Sequence, residues 1–225
     1  PNNPTGAIYS REELAALAEV LRRHPRVWVM TDEIYEHLIY DGNEAVTPVQ
    51  VAPDLKNRAL IINGVSKAYA MTGFRVGYAA GPAPLIAAIA KLISQSTTCA
   101  SSVSQAAAAE ALAGDQSCVR EIADIFRQRR DRMVELLAAA PGLSVRKPGG
   151  AFYLYPSVAG LIGKTTPAGQ VLNSDVDVSL YLLEAAQVAV LDGSAYGMSP
   201  YLRLSFGGPM EDIEAGCTAI RHACE

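Results

Sequence analysis

Over the first two thirds of the chain, stretches with helical apolar spacing alternate with short apolar runs. Ser10-Arg-Glu-Glu13 has the form of a capping box and predicts a helix to about Arg23, stopped before Pro25. Val27-Trp-Val-Met30 reads as a buried strand that leads directly into Thr31-Asp32-Glu33. Ala59-Leu-Ile-Ile62 reads as a second, ending at Asn63-Gly64, and Phe74-Arg-Val-Gly-Tyr-Ala-Ala80 as a third, closed by Gly81-Pro82. The pattern then turns helical over 84–97, 102–113 and about 115–140, where Pro141-Gly142 stops it. Such alternation predicts an α/β layer with a mainly parallel sheet. After residue 142 the elements shorten. Strands are expected near 143–146, 151–155, 188–191 and 202–206, helices near 175–186 and 209–224, and a loop over 157–174. A second, smaller α+β domain follows, its boundary inside or just after the long helix.

Composition narrows the classes. Half of the 225 residues are hydrophobic and 19 % are charged, enough for a substantial core. The net charge of −4 offers no broad footprint for nucleic acid or an anionic membrane. Cys99, Cys118, Cys217 and Cys224 are scattered without metal-ligand spacing, as are His24, His37 and His222, so no metal site is expected. Reduced thiols fit a cytoplasmic enzyme. The apolar run Leu85–Ile93 is broken by Lys91, and no stretch reaches the roughly 18 residues that span a bilayer. The chain opens Pro-Asn-Asn-Pro, without Met or a signal peptide, and is expected to be a fragment.

Ligands of open α/β sheets sit at the carboxyl ends of the strands. Asp32 ends the first expected strand, and Ser66-Lys67 lies just beyond the second. Taken singly, Asp32 could be a helix N-cap and Lys67 a solvated loop cation. Arg75 is placed inside an otherwise apolar strand, where a buried guanidinium needs an anionic partner. Gln128-Arg-Arg-Asp-Arg132 reads as the solvated face of the long helix, and Gly149-Gly150 as a turn entering a strand.

Together these residues spell a pattern. Gly64-Val-Ser-Lys67-Ala-Tyr-Ala-Met-Thr-Gly73-Phe-Arg75-Val-Gly77 resembles the pyridoxal-phosphate lysine motif of the class I aminotransferases. Asn2-Asn3-Pro4-Thr5-Gly6, Asp32-Glu33-Ile34-Tyr35 and Tyr201-Leu-Arg203-Leu-Ser-Phe206 are similar to three further motifs of that family, in the same order. The resemblance covers essentially the whole chain and corresponds to the C-terminal portion of the family. It implies fold type I, with residues 1–134 as part of a large cofactor domain and 135–225 as the small domain.

By this resemblance Lys67 bonds the cofactor aldehyde and moves the substrate α-proton. Asp32 faces the pyridine nitrogen, and Asn3 and Tyr35 bind the phenolic oxygen. Ser66 and Arg75 hold the phosphate; Gly64 stands where some relatives carry a second hydroxyl. Arg203, otherwise a surface strand arginine, clamps the substrate α-carboxylate with a bidentate fork, beside Asn3.

The segment Ala151–Phe206 looks closest to bacterial aspartate aminotransferases of the prokaryotic subgroup. The expected reaction is transfer of an amino group between an acidic amino acid and 2-oxoglutarate, in a homodimer when intact. An aromatic, prephenate-type or broad-specificity aminotransferase would show the same motifs. So would the effector domain of a transcription regulator, which upstream helix-turn-helix sequence would reveal. These 225 residues alone are expected to be inactive.

Overall fold

The computed structural model describes residues 1–225. Two compact units divide the chain: Pro1 with Ile8–Ala123, and Asn2–Ala7 with Asp124–Glu225.

The first unit opens with α1 (Arg11–Arg23), where both arms of the Ser10/Glu13 capping box are formed. Leu14 and Ala18 form its buried stripe, and Ala18 packs with Ala52 and Leu55. Arg58 closes the far end of the helix, donating to the carbonyls of Leu21 (2.7 Å), His24 (3.0 Å) and Val27 (2.5 Å). The Leu21 and His24 carbonyls also accept the His24 and Val27 amides, so one arginine gathers the last turn of the helix and the turn that follows it. The chain continues through β1 (Val29–Asp32), the single turn α2 (Pro48–Val51), β2 (Ala59–Gly64) and β3 (Gly77–Ala80). Three helices follow: α3 (Ala83–Ser96), α4 (Ser102–Ala113) and α5 (Ser117–Ala138). The division between the units falls within α5, between Ala123 and Asp124.

The sheet of this unit has the order β1-β2-β3. β1 and β2 are parallel, as expected, with Asp32 opposite Ile62, whereas β3 runs antiparallel to β2, with Gly77 opposite Gly64. Two expectations about the strands need correction. The Val27–Met30 run is not buried: Trp28 and Met30 are 56 % and 71 % exposed, because β1 is an edge strand and no residue of this unit covers that face. Nor does Arg75 lie in the third strand. Thr72–Phe74 form a 3₁₀ turn, and Arg75 ends it in the left-handed region at φ 56°, two residues before β3 begins.

The second unit holds an antiparallel sheet of order β4-β6-β5, built from β4 (Tyr153–Leu154), β5 (Leu191–Asp192) and β6 (Leu202–Ser205). It is completed by α6 (Asp175–Ala186) and α7 (Met210–Cys224), close to the expected bounds. Leu154, Val158, Val178, Leu182, Leu202, Phe206 and Ile220 are its fully buried centre. The strand expected over 143–146 shrinks to one bridge, Ser144 with Ser157. The helix segment 128–132 is not wholly solvated either. Arg130 is completely buried, held by Asp131 (2.7 Å) and donating to the Pro148 carbonyl (3.0 Å). Paired and hydrogen-bonded in this way, a buried guanidinium is tolerated.

Candidate active site

In the first unit, the strand directions decide where the candidate residues stand. Because β1 and β2 are parallel, Asp32 and the Gly64–Lys67 segment leave the sheet at the same end. Because β3 is antiparallel to β2, the chain entering β3 does so at that end too, which brings Arg75 there. Asp32, Ser66, Lys67 and Arg75 thus share one edge of the sheet, the carboxyl end of its parallel pair.

Local contacts fix each of them. The Asp32 carboxylate accepts from the amide of Ile34 (3.1 Å), and the Glu33 amide donates to the Ile62 carbonyl (2.8 Å), which locks the turn after β1 onto β2. Asp32 itself is exposed, while Tyr35 is buried in the same turn. The lysine loop is anchored on both sides of Lys67. Val65 and Ala68 are buried, and the Tyr69 hydroxyl donates to Gln116 (2.8 Å), whose amide holds the Ala111 and Gly114 carbonyls. Ser66 and Lys67 are half-buried. Tyr69 and Gln116 were not singled out by the sequence reading, since a tyrosine in a loop carries no periodic signal.

Gly64 has a packing reason for lacking a side chain. A Cβ there would lie 2.9 Å from the Val76 carbonyl oxygen and 3.3 Å from the Gly77 Cα, so the close approach of β2 and β3 leaves no room. Arg75 is exposed, contrary to its expected burial. One of its terminal nitrogens donates to the Thr72 carbonyl (3.0 Å), and no carboxylate is paired with it. A left-handed backbone at a bulky residue is uncommon and worth a reason.

Pyridoxal phosphate asks for an amine, an anion at its ring nitrogen and donors at its phosphate. The donor set at this sheet end fits that demand: one lysine, one aspartate, one hydroxyl and a guanidinium without a carboxylate partner.

The second unit carries a separate cluster around Arg203 on β6. Its guanidinium donates to the Asn3 side-chain oxygen (3.0 Å), a contact between residues 200 positions apart in sequence. It also lies over two aromatic rings, 4.8 Å from the centroid of Tyr153 and 5.3 Å from that of Tyr196. Asn3 is held in this unit through Gly6, whose carbonyl accepts from the Gly150 amide (3.0 Å). A Cβ on Gly6, at φ 66°, would sit 2.5 Å from the Pro148 Cβ. Gly149-Gly150 is therefore a docking point for the Asn3 segment as well as a turn. The sequence reading missed Tyr153 and Tyr196, whose alternation and loop context look like ordinary strand and turn residues.

The profile of aminotransferase class I and II matches residues 1–220. The chain belongs to that family. It is 50 % identical over 225 residues to an aspartate aminotransferase of Rhizobium meliloti strain 1021, spanning all of this chain and 55 % of that protein. An aspartate/prephenate aminotransferase of Cereibacter sphaeroides is 48 % identical over 224 residues, covering all of this chain and 56 % of that protein. Among solved structures, the aspartate aminotransferase from Rhizobium meliloti superposes with a TM-score of 0.97 at 50 % identity, covering all of this chain and 56 % of that one. The aromatic aminotransferase from Pyrococcus horikoshii gives 0.87 at 32 % identity, covering 99 % of this chain and 57 % of that one. The chain thus spans about half the length of the relatives it matches. Its fold is that of fold type I aminotransferases, with a partial large-domain sheet. No helix is long and apolar enough to cross a membrane.

Proposed function

We propose that the intact protein is a pyridoxal-phosphate-dependent aminotransferase that moves an amino group between aspartate and 2-oxoglutarate. The observation that carries this reading is the gathering of Asp32, Ser66, Lys67 and Arg75 at one sheet end in a chain of this family. The aspartate aminotransferase at 50 % identity supports the substrate. Pyridoxal phosphate supplies an aldehyde that bonds amines and a protonated ring that accepts electron density.

The residues of this chain supply the rest. Lys67 would hold the cofactor through its side-chain amine, and its Nζ would remove and return the substrate α-proton. The Asp32 carboxylate holds the proton on the ring nitrogen, opposing its loss by charge. Arg75 and the Ser66 hydroxyl bind the phosphate, and Asn3 and Tyr35 bind the phenolic oxygen. Arg203 binds the α-carboxylate through two parallel hydrogen bonds, a geometry that a lysine cannot copy. In this reading residues 1–134 belong to the cofactor domain and 135–225 to the small domain. Homodimerisation of the intact protein and a cytoplasmic location are proposed with it, the latter supported by four free cysteines.

Turnover of L-aspartate with 2-oxoglutarate by the intact protein, followed as oxaloacetate formed, tests the reading. No oxaloacetate at saturating substrate and cofactor would overturn it. A prephenate-accepting variant of the same chemistry is favoured by the Cereibacter relative. A panel of aspartate, glutamate, prephenate and phenylpyruvate separates the two.

A further inference from the structure

The loop between β5 and β6 is more tightly fixed than a connection of this kind requires. Asp175, the first residue of α6, is buried, and one oxygen of its carboxylate accepts from the amides of Ser194 (3.0 Å) and Tyr201 (3.4 Å). Those amides stand on either side of Tyr196. Asp192 accepts from the Ser194 hydroxyl (2.6 Å) and the Ala195 amide (2.9 Å), and the Tyr155 hydroxyl lies 3.3 Å from the carbonyl oxygens of Gly193 and Met198. Tyr155 also stacks on Tyr201, with ring centroids 5.2 Å apart. A carboxylate withdrawn from water costs free energy unless it is fully hydrogen-bonded, and here the bonds it makes all serve this loop.

The loop bears the Tyr196 ring, which lies against the Arg203 guanidinium of the candidate substrate site. Asn3 accepts from that guanidinium, and the Tyr153 and Tyr196 rings both lie against it. A planar fork must be held in plane to meet a carboxylate with both arms.

We infer that Asp175 is a positioning residue for Arg203, acting through the 193–201 loop to keep Tyr196 over the guanidinium. The inference rests on the reading of Arg203 as the carboxylate-binding residue.

The test is steady-state kinetics of the intact protein with L-aspartate and 2-oxoglutarate. Asp175→Ala is expected to raise KM for both substrates about tenfold, with kcat changed by less than about threefold and the cofactor absorbance unaltered. Tyr196→Leu should do the same, and the double variant should be no worse than either single one, since both act along one path. Asp175→Asn keeps an acceptor oxygen and Tyr196→Phe keeps the ring, so each should restore KM to within about threefold. A merely structural Asp175 would lower the folded fraction and leave KM alone. Native KM in Asp175→Ala, or additive effects in the double variant, would overturn the inference. If Asp175→Ala does not fold, Tyr196→Leu decides: a native KM overturns it and a raised KM rescued by Tyr196→Phe sustains it. Arg203→Lys separates the two levels. A native KM there sinks the reading of Arg203 itself, whereas a raised KM with silent Asp175 and Tyr196 variants sinks this inference alone.

Discussion

Lys67 is half-buried in a loop that its neighbours anchor: Val65 and Ala68 are buried, and Tyr69 is tied to Gln116. Lys67→Ala in the intact protein should therefore retain the fold and lose transamination. Borohydride reduction should fix cofactor mass on the peptide containing Lys67, and mass on another lysine would refute the assignment. Asp32 poses a sharper choice, because its carboxylate also accepts the Ile34 amide. Asp32→Asn keeps that acceptor and removes the charge. If the charge holds the ring proton, turnover should fall by a factor of about 10² to 10³ while the melting temperature barely moves. Near-normal turnover would leave only the local turn role. Gly193 makes a third case. A Cβ there would overlap the Met198 carbonyl oxygen and lie 2.7 Å from the Tyr155 hydroxyl. Gly193→Ala should push the loop off Tyr155 and weaken both carboxylate substrates, read as a raised KM. At this scale the sequence located Asp32 and Lys67 where the structure has them, at and just beyond the ends of the two parallel strands. It was least informative for Arg75, read as buried from apolar neighbours. The short turn at Thr72–Phe74 and a left-handed backbone put it outside the strand instead.

Among the elements, helices were legible and strands only partly so. Capping chemistry is local, so Ser10 and Glu13 announced α1, and the same box at Ser174 and Asp177 opens α6. Strand burial depends on what lies across the sheet, which no local pattern states. Val27–Met30 has the apolar, β-branched character of a core strand and is nevertheless exposed. The long helix shows the same limit: Arg130, one of a run of charges, is buried because Asp131 and the Pro148 carbonyl receive it. Asp131 gives this element a pH signature. Burial alone would raise its pKa, but hydrogen bonds from Lys147 and Arg130 outweigh that and hold it below the ordinary value. A depressed carboxylate contributes stability that is present above its unfolded pKa, about 3.9, and lost as pH falls through its folded one. Acid titration of the melting temperature should thus show a steeper loss below about pH 4 in the native protein than in Asp131→Asn. Parallel curves would show that the Lys147 and Arg130 contacts contribute nothing to acid stability. The contribution is modest, since Asp131 is 41 % exposed on its side chain and solvent screens the pair.

Over the whole chain, more of the exposed large apolar residues lie in the first unit than in the second, and the most exposed of them are there. Trp28 and Met30 on or beside β1, every residue of β3, Leu92 on α3 and Val103 on α4 face outward, and α3 buries none of its residues. β1 is an unpaired edge, with free backbone donors and acceptors beside apolar side chains. Surfaces of that kind are covered in stable proteins, or they associate. The second unit differs, with a continuous centre from Leu154 to Ile220 and two buried thiols. Burial pushes the Cys217 thiol up to about 12 and that of Cys224 up to about 11, so neither forms a reactive thiolate at neutral pH. A polypeptide of these 225 residues, made alone, should therefore self-associate through its first unit while Cys217 and Cys224 stay slow to alkylate. Sedimentation velocity at several concentrations and mass-resolved alkylation read the two halves of that expectation independently. It should also fail to form oxaloacetate from L-aspartate, because an uncovered sheet cannot hold Asp32, Lys67 and Arg75 in a fixed, water-shielded arrangement. A monodisperse monomer with full turnover would show that the first unit needs no further cover. Rapid alkylation of Cys217 in a chain that still sediments as an oligomer would place the weakness in the second unit instead.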